Sequence, residues 1–152
     1  MPDLPVPADY DLISTDKLRY GDTDRQGHVN NAVFATFLET GRVELLHDLA
    51  FPIADADSSF VLARVVIDFR AEVLWPGTVE IGTRVSAVGR SSITLDQAVF
   101  QNGACVAQGQ SVVVLIDNSS RHSRALSESA VKRLQELSTR QSSPHGAKRI
   151  EA

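Results

Sequence analysis

Residues 19–42 read RYGDTDRQGHVNNAVFATFLETGR, a polar turn that runs into an apolar-periodic stretch. From this segment onward Val33, Phe34, Phe37, Leu38, Leu45, Leu46 and Leu49 recur at three- and four-residue spacing, which predicts a helix over about 31–49 with one buried face. Asn30 stands at its start, where a side-chain oxygen can accept a bond from a free N–H of the first turn, and Pro52 closes the region. A helix with one apolar stripe needs a surface to cover, and the flanking sequence supplies a sheet.

Before the turn, Ser14 to Tyr20 reads as a first strand, broken by Gly21 to Gly27. After the helix come strand-like runs at Phe60–Leu74, Val79–Gly89, Ser92–Gln101 and Cys105–Asp117, divided by Pro76-Gly77, Arg90-Ser91 and Asn102-Gly103. Their short connections predict an antiparallel meander. Val79, Ile81, Thr83, Val85 and Ala87 alternate with more polar neighbours, as in a sheet with one face buried. Ser127–Leu137 reads as a second helix, capped by Ser127, with Val131, Leu134 and Leu137 on one side. This order predicts an α+β domain: an antiparallel five-stranded sheet wrapped around a long central helix, with a C-terminal helix.

With 152 residues, 43% of them hydrophobic, the chain can bury one core and hardly two. The domain is expected over 13–139, preceded by an extended, proline-bearing lead-in at 1–12 and followed by a disordered tail at 140–152. A net charge of −4 argues against a general nucleic-acid binder, and the N-terminus has neither the basic start nor the apolar run of a signal peptide or membrane span, so a cytoplasmic protein is expected. Cys105, alone, permits no internal disulfide and reads as a buried small hydrophobe. His28, His47, His122 and His145 lack paired ligand spacing, so no metal site and no cofactor are expected.

Asp24 and His28, four residues apart beside a helix N-terminus, bring together a carboxylate, an imidazole and unpaired backbone N–H groups at the positive end of a helix dipole. Such a set can hydrolyse an acyl bond. Each residue also has a structural reading. Asp24 can close an Asx-turn, His28 can cap the turn, and Asn30 can serve as helix cap. Tyr20 and Asp22 read as structural supports, and Glu39 and Arg42 as a surface pair on one helix face.

The element order and the motif G-D-T-D-R-Q-G-H-V-N-N-A-V-F resemble the hotdog-fold acyl-CoA thioesterases, and among them the 4-hydroxybenzoyl-CoA thioesterase-like group with its D-x-x-x-H-V-N-N-x-x-[YF] signature. The resemblance spans about residues 13–137 in element order, and its strong match is confined to 19–42. It implies hydrolysis of an acyl-CoA thioester, with Asp24 rather than Asp22 as catalytic carboxylate, acting as general base or as nucleophile. It also implies that the backbone N–H of Asn31 polarises the thioester carbonyl and that His28 helps orient acid, water or substrate. Glu39 is a further candidate, since a helix glutamate near that position sometimes joins the catalytic group. Gln26 stands where some related acyl-ACP thioesterases carry an asparagine, which weighs against acyl-ACP as substrate.

For binding, Asn30 and Phe34 are expected at the site, with Phe34, Phe37 and the partner's Phe60–Ala63 lining the acyl pocket. Coenzyme A carries phosphate charges, so Arg90 with Ser91 and Ser92 in the strand junction is the first expectation for its contacts, and Arg64 and Arg70 the second. Ordinary solvated arginines are the competing reading. A small sheet with open edges predicts a homodimer, or a dimer of dimers. Two other functions fit the same features: a non-catalytic acyl-CoA binding or regulatory module, and an enoyl-CoA hydratase, whose longer motif the chain lacks.

Overall fold

A computed structural model describes residues 3–141 of the chain. Five strands, β1 (Leu12–Lys17), β2 (Ser58–Phe69), β3 (Thr78–Val88), β4 (Ser92–Gln101) and β5 (Ala104–Asp117), form one antiparallel sheet. Helix α1 (Val33–Leu46) lies across its inner face and α2 (Glu128–Gln141) packs at one end. This is the α+β architecture expected from the periodicity. No helix among the described residues is long and apolar enough to cross a membrane.

The strand order is β1-β3-β4-β5-β2, so only β3, β4 and β5 form a meander. The expectation that β2 continues straight into β3 is corrected. β2 ends at Phe69, and residues 70–77 cross the end of the sheet instead of turning back in a hairpin. The N–H groups of Arg70 and Ala71 both donate to the Val106 carbonyl, at 2.8 and 3.1 Å, which ends the regular ladder. β2 therefore pairs with β5 and leaves its other edge open. The Asn102-Gly103 turn has φ values of 53° and 81°, the two left-handed residues that a tight hairpin needs.

α1 is shorter than the sequence pattern suggests. It ends at Leu46, and Leu49 is fully exposed rather than on the buried face. Ahead of the helix, Asn30 Oδ1 accepts the Ala32 N–H at 2.9 Å, so the cap shapes a turn and the first helical residue is Val33. Similar shifts occur at the ends. Pro7–Asp9 form a 3-10 turn in the lead-in, Tyr10 is buried against Phe100, and β1 stops at Lys17, with Tyr20–Asp22 in a second 3-10 turn. At the other end, the Ser127 hydroxyl accepts the Ala130 N–H at 3.1 Å, and α2 runs past Leu137 to Gln141. The tail expected to be disordered lies, from residue 142, outside the described residues.

Phe37, Leu38, Ile81, Val99 and Ala107 form the core under α1, and Leu46, Val85, Leu95, Val113 and Leu134 form a second cluster under α2. Between them runs a buried polar strip. Gln97 donates from Nε2 to the Leu38 carbonyl at 2.9 Å and to Thr83 Oγ1 at 3.1 Å, and its Oε1 accepts the Ser111 hydroxyl at 3.1 Å. Arg42 turns inward to donate to Ser111 Oγ at 3.2 Å, so the expected surface pair with Glu39 is not formed. Cys105 is buried as expected, and burial raises its thiol pKa.

α1 meets the sheet at Gly41, where an added Cβ would stand 2.5 Å from Thr83 Oγ1, 2.8 Å from Gln97 Nε2 and 2.9 Å from Ile81 Cγ2. Alanine normally gains about 1 kcal/mol over glycine inside a helix. Here the clash falls on fully packed side chains, and overpacking of that kind costs about 1–3 kcal/mol. Gly41→Ala is therefore expected to destabilise the protein, by up to about 2 kcal/mol net. A urea melt in which the alanine variant is more stable than wild type would show that the helix does not sit this close.

Candidate active site

The loop from Thr23 to Val29 folds back on itself through its own backbone. Asp24 N–H donates to the His28 carbonyl at 2.8 Å, Gly27 N–H donates to the Asp24 carbonyl at 3.0 Å, and Thr23 bridges Val29. Gly27 has φ +83°, so glycine is required there by conformation; a Cβ would meet nothing within 4 Å. The loop then docks on the segment after β2. Val29 N–H donates to the Val73 carbonyl at 2.8 Å, His28 bridges Leu74, and the Gln101 side chain clamps Leu74 through its N–H and C=O, at 3.4 and 3.0 Å.

Asp22 holds the loop from the other side. Its carbonyl accepts the Asn30 N–H at 2.8 Å, and its buried carboxylate accepts the Arg19 N–H at 2.9 Å and the Arg19 guanidinium at 2.8 and 3.1 Å. Burial alone would raise the Asp22 pKa, but the bonds from Arg19 outweigh it and the net shift is downward. Asp22 is thus a structural support, as expected.

Asp24 performs its anticipated structural task and keeps an oxygen in reserve. Its Oδ1 accepts the N–H of Gln26 at 2.8 Å and of His28 at 3.3 Å, the Asx-turn reading. Its Oδ2 has no protein donor among the described residues. Asp24, His28, Asn31 and Phe34 line one open cleft of about 360 Å3 at the N-terminal end of α1. Asn31 is exposed and its N–H donates to no acceptor among the described residues, while the next amides are taken: Ala32 by Asn30 Oδ1, Val33 by the Asn30 carbonyl, Phe34 by the Asn31 carbonyl.

The far wall of the cleft comes from the end of β2 and the segment after it, including Phe69, Arg70, Glu72 and Val73. Sequence reasoning missed Glu72. Its Oε2 lies 3.1 Å from His28 Nε2, so the imidazole is held between a carboxylate at one end and its own backbone tie to Asp24 at the other. Nothing in the local pattern marks Glu72, because the contact depends on 70–77 leaving the sheet. Phe69, 47% exposed, packs edge-on against buried Phe34 with ring centres 5.2 Å apart, giving the cleft an apolar floor.

Other expected residues lie elsewhere in this chain. Asn30 shapes the turn and does not line the cleft. Arg64 is exposed on the outer face of β2, paired in register with Val112. Arg90, Ser91 and Ser92 form the β3–β4 turn, at the opposite end of the sheet from Asp24, where the Arg90 carbonyl accepts the Leu126 N–H. Glu39 is exposed on α1. Among the described residues no three His, Cys, Asp or Glu side chains cluster as a metal site would need.

A family model described as the thioesterase-like superfamily matches residues 18–139. The chain belongs to this superfamily. With that membership come its hotdog fold and its enzyme class, a thioester hydrolase. A solved thioesterase from Thermus thermophilus, complexed with coenzyme A and zinc, is 29% identical, with a TM-score of 0.74 over 86% of this chain and 96% of that one. The PA5185 protein of Pseudomonas aeruginosa strain PAO1 is 26% identical, with a TM-score of 0.77 over 88% and 95%. DHNA-CoA thioesterase from Staphylococcus aureus, 20% identical with a TM-score of 0.75 over 84% and 92%, shares the fold. No curated protein matches the chain.

The Asp22 shift has a consequence for stability in this thioester hydrolase. A carboxylate whose pKa is depressed by folding contributes stability above its unfolded pKa, and the contribution is lost as pH falls through the folded value. Asp22→Asn is therefore expected to lower the urea midpoint at pH 7, with the gap to wild type closing as pH drops below about 3.8, the ordinary aspartate value. A gap that stays constant down to acid pH would show that the Asp22 charge is not what holds the loop.

Proposed function

We propose that this enzyme hydrolyses an acyl-CoA thioester to the free acid and CoA, with Asp24 as the reacting carboxylate and the Asn31 N–H as the donor to the thioester oxygen. The observation that carries this reading is their convergence: an Asp24 oxygen without a protein donor and a backbone N–H without an acceptor, among the described residues, open onto one cleft beside His28. Thiolate is a good leaving group, so little more is required than an activated oxygen nucleophile and a polarised carbonyl. A preorganised N–H of this kind is worth about 3–4 kcal/mol in the transition state. Either role of Asp24 is compatible with this geometry: activation of a water, or direct attack to form a transient anhydride. His28, steadied by Glu72, keeps the cleft polar on one side, while Phe34 and Phe69 receive the acyl group on the other. The coenzyme A bound to the 29%-identical Thermus enzyme supports CoA as the carrier.

A homodimer would account for the remaining expectations. The inner row of β2, Phe60, Leu62, Val65, Ile67 and Phe69, is only partly covered by α1, with Leu62 48% and Phe69 47% exposed. Its backbone edge is also unpaired. Antiparallel pairing of two β2 edges would satisfy both. It would bring Phe60–Ala63 of the second copy toward Phe69, and with it the sheet end that carries the second copy's Arg90–Ser92 turn, where Ser92 and Val61 share the partner strand residue Val114. In that arrangement Arg70 of one chain and Arg90 of the other flank the cleft mouth, where CoA phosphates need cations.

A panel of acyl-CoA esters followed by thiol release tests the reading. Wild type is expected to turn over at least one ester, and Asp24→Asn and Asp24→Ala to lose about 10²–10⁴-fold in kcat. Asn31→Ala should leave kcat nearly intact, because the donor is backbone. Glu72→Gln should lower kcat with little change in KM. Tight binding of acyl-CoA without cleavage by wild type would favour the binding-module alternative, and full activity in both Asp24 variants would remove Asp24 from the chemistry.

A further inference from the structure

Arg42 is a cation buried without a carboxylate. It is 7% exposed, sits on the inner face beneath α1, and makes a single hydrogen bond among the described residues, from Nη1 to Ser111 Oγ. Buried charges are as a rule paired, since an uncompensated one costs several kcal/mol. Glu39, three residues earlier, attracts it through space but is exposed and forms no ion pair with it. The two remaining nitrogens, Nε and Nη2, have no acceptor among the described residues, yet neither is sealed from solvent; Ser14 Oγ is the only buried side-chain polar atom there that lacks a partner. Nε and Nη2 form the fork that grips a carboxylate with two parallel bonds. Arg19 turns this same edge to Asp22 in this chain, with both nitrogens donating to the one oxygen Oδ1.

The Arg42 guanidinium reaches β5. Ser111, its anchor, pairs in register with Leu95 of β4 and Val65 of β2. On the β4 side α1 is closed down by Gly41 and by the bond from Gln97 to the Leu38 carbonyl. On the β2 side Val65 is 38% exposed, and the inner row of β2 runs from it through Ile67 to Phe69 in the wall of the cleft. Two lengths agree. From Phe34 to Arg42 is eight helical residues, about 12 Å. From Phe69 to Val65 is four strand residues, about 13 Å. An extended chain that advances roughly 1.1–1.2 Å per bond, as a polypeptide backbone does, covers this in about ten bonds.

We propose that Arg42 is the specificity residue for the far end of the acyl group, and that it takes a carboxylate there: the preferred substrate class is a medium-chain acyl-CoA, on the order of ten carbons, carrying a terminal carboxylate. This rests on the hydrolase reading above and adds the acyl class to it.

The test compares decanoyl-CoA with the CoA monothioester of decanedioic acid, as a ratio of kcat/KM within each protein. Wild type is expected to favour the diacid thioester by about tenfold or more, the worth of a charge-assisted pair, and the ratio to fall toward one in Arg42→Met. Arg42→Lys, which keeps the charge without the fork, is a second variant should the methionine protein fail to fold, and should also lower the ratio. Free decanedioate should raise the melting temperature of wild type more than decanoate does, and this difference should vanish in the variants. That binding arm stands apart from catalysis: a decanedioate effect lost in the variants upholds Arg42 even if no ester is cleaved. Cleavage of decanoyl-CoA with no preference for the diacid thioester in wild type overturns the Arg42 assignment and leaves the hydrolase intact. A stable wild-type dimer that becomes a monomer in both variants, with the ratio unchanged, would mean that a second copy supplies the anion, and would also overturn it.

Discussion

The close seat of α1 on the sheet at Gly41 is the constraint on which the rest of the structure depends. With Thr83, Gln97 and Ile81 filling the space where a side chain would stand, the helix can neither rise nor roll without breaking the Gln97 bond to the Leu38 carbonyl. Its axis is thereby fixed, and so is the place where its N-terminus emerges. A buried polar group must keep its partner, and each bond left unmade there costs about 1–3 kcal/mol. The Gln97, Thr83 and Ser111 strip therefore works as a register key rather than as added apolar packing.

The seat has consequences at both of its ends. At the N-terminal end, the Asp24–His28 loop is tied to the helix through Asp22 and Asn30 and to the sheet through Val73 and Leu74, so the free amide of Asn31 and the Asp24 carboxylate share one wall. Catalytic groups held by backbone bonds lose little freedom when substrate binds, which is what preorganised electrostatics requires. On the β2 side, the same seat leaves an inner apolar row half covered and Arg42 short of an anion. In the proposed function the Asp24 carboxylate and the Asn31 amide are the reaction centre, and the half-covered row is where acyl chain and second subunit complete the site.

Much of this is legible in the sequence, and the parts that are not share a cause. The three- and four-residue spacing from Val33 to Leu46, the alternation in β3 and the Asn102-Gly103 turn are local signals, and the structure follows them. The D-x-x-x-H-V-N-N motif marks the loop because its residues must be near one another in the chain to form it. Glu72, Gln101 and Phe69 reach the site only because residues 70–77 cross the end of the sheet, and no local pattern reports a crossing of that kind. Arg42 escapes a local reading for a related reason: spacing to Glu39 describes a helix surface, whereas its partner Ser111 is 69 positions away. Leu49 fits the period as a last apolar position of α1, but the helix stops a turn earlier and a loop leads on to Pro52.

The most direct measurement of the central claim, that the seated helix delivers the Asn31 amide to a thioester carbonyl, is isotope-edited infrared spectroscopy of a carbonyl-labelled acyl-CoA bound intact to Asp24→Asn. The account predicts a carbonyl stretch shifted to lower frequency than in water, the mark of a fixed donor polarising the bond. A bound ester whose carbonyl absorbs at or above its frequency in water would contradict it.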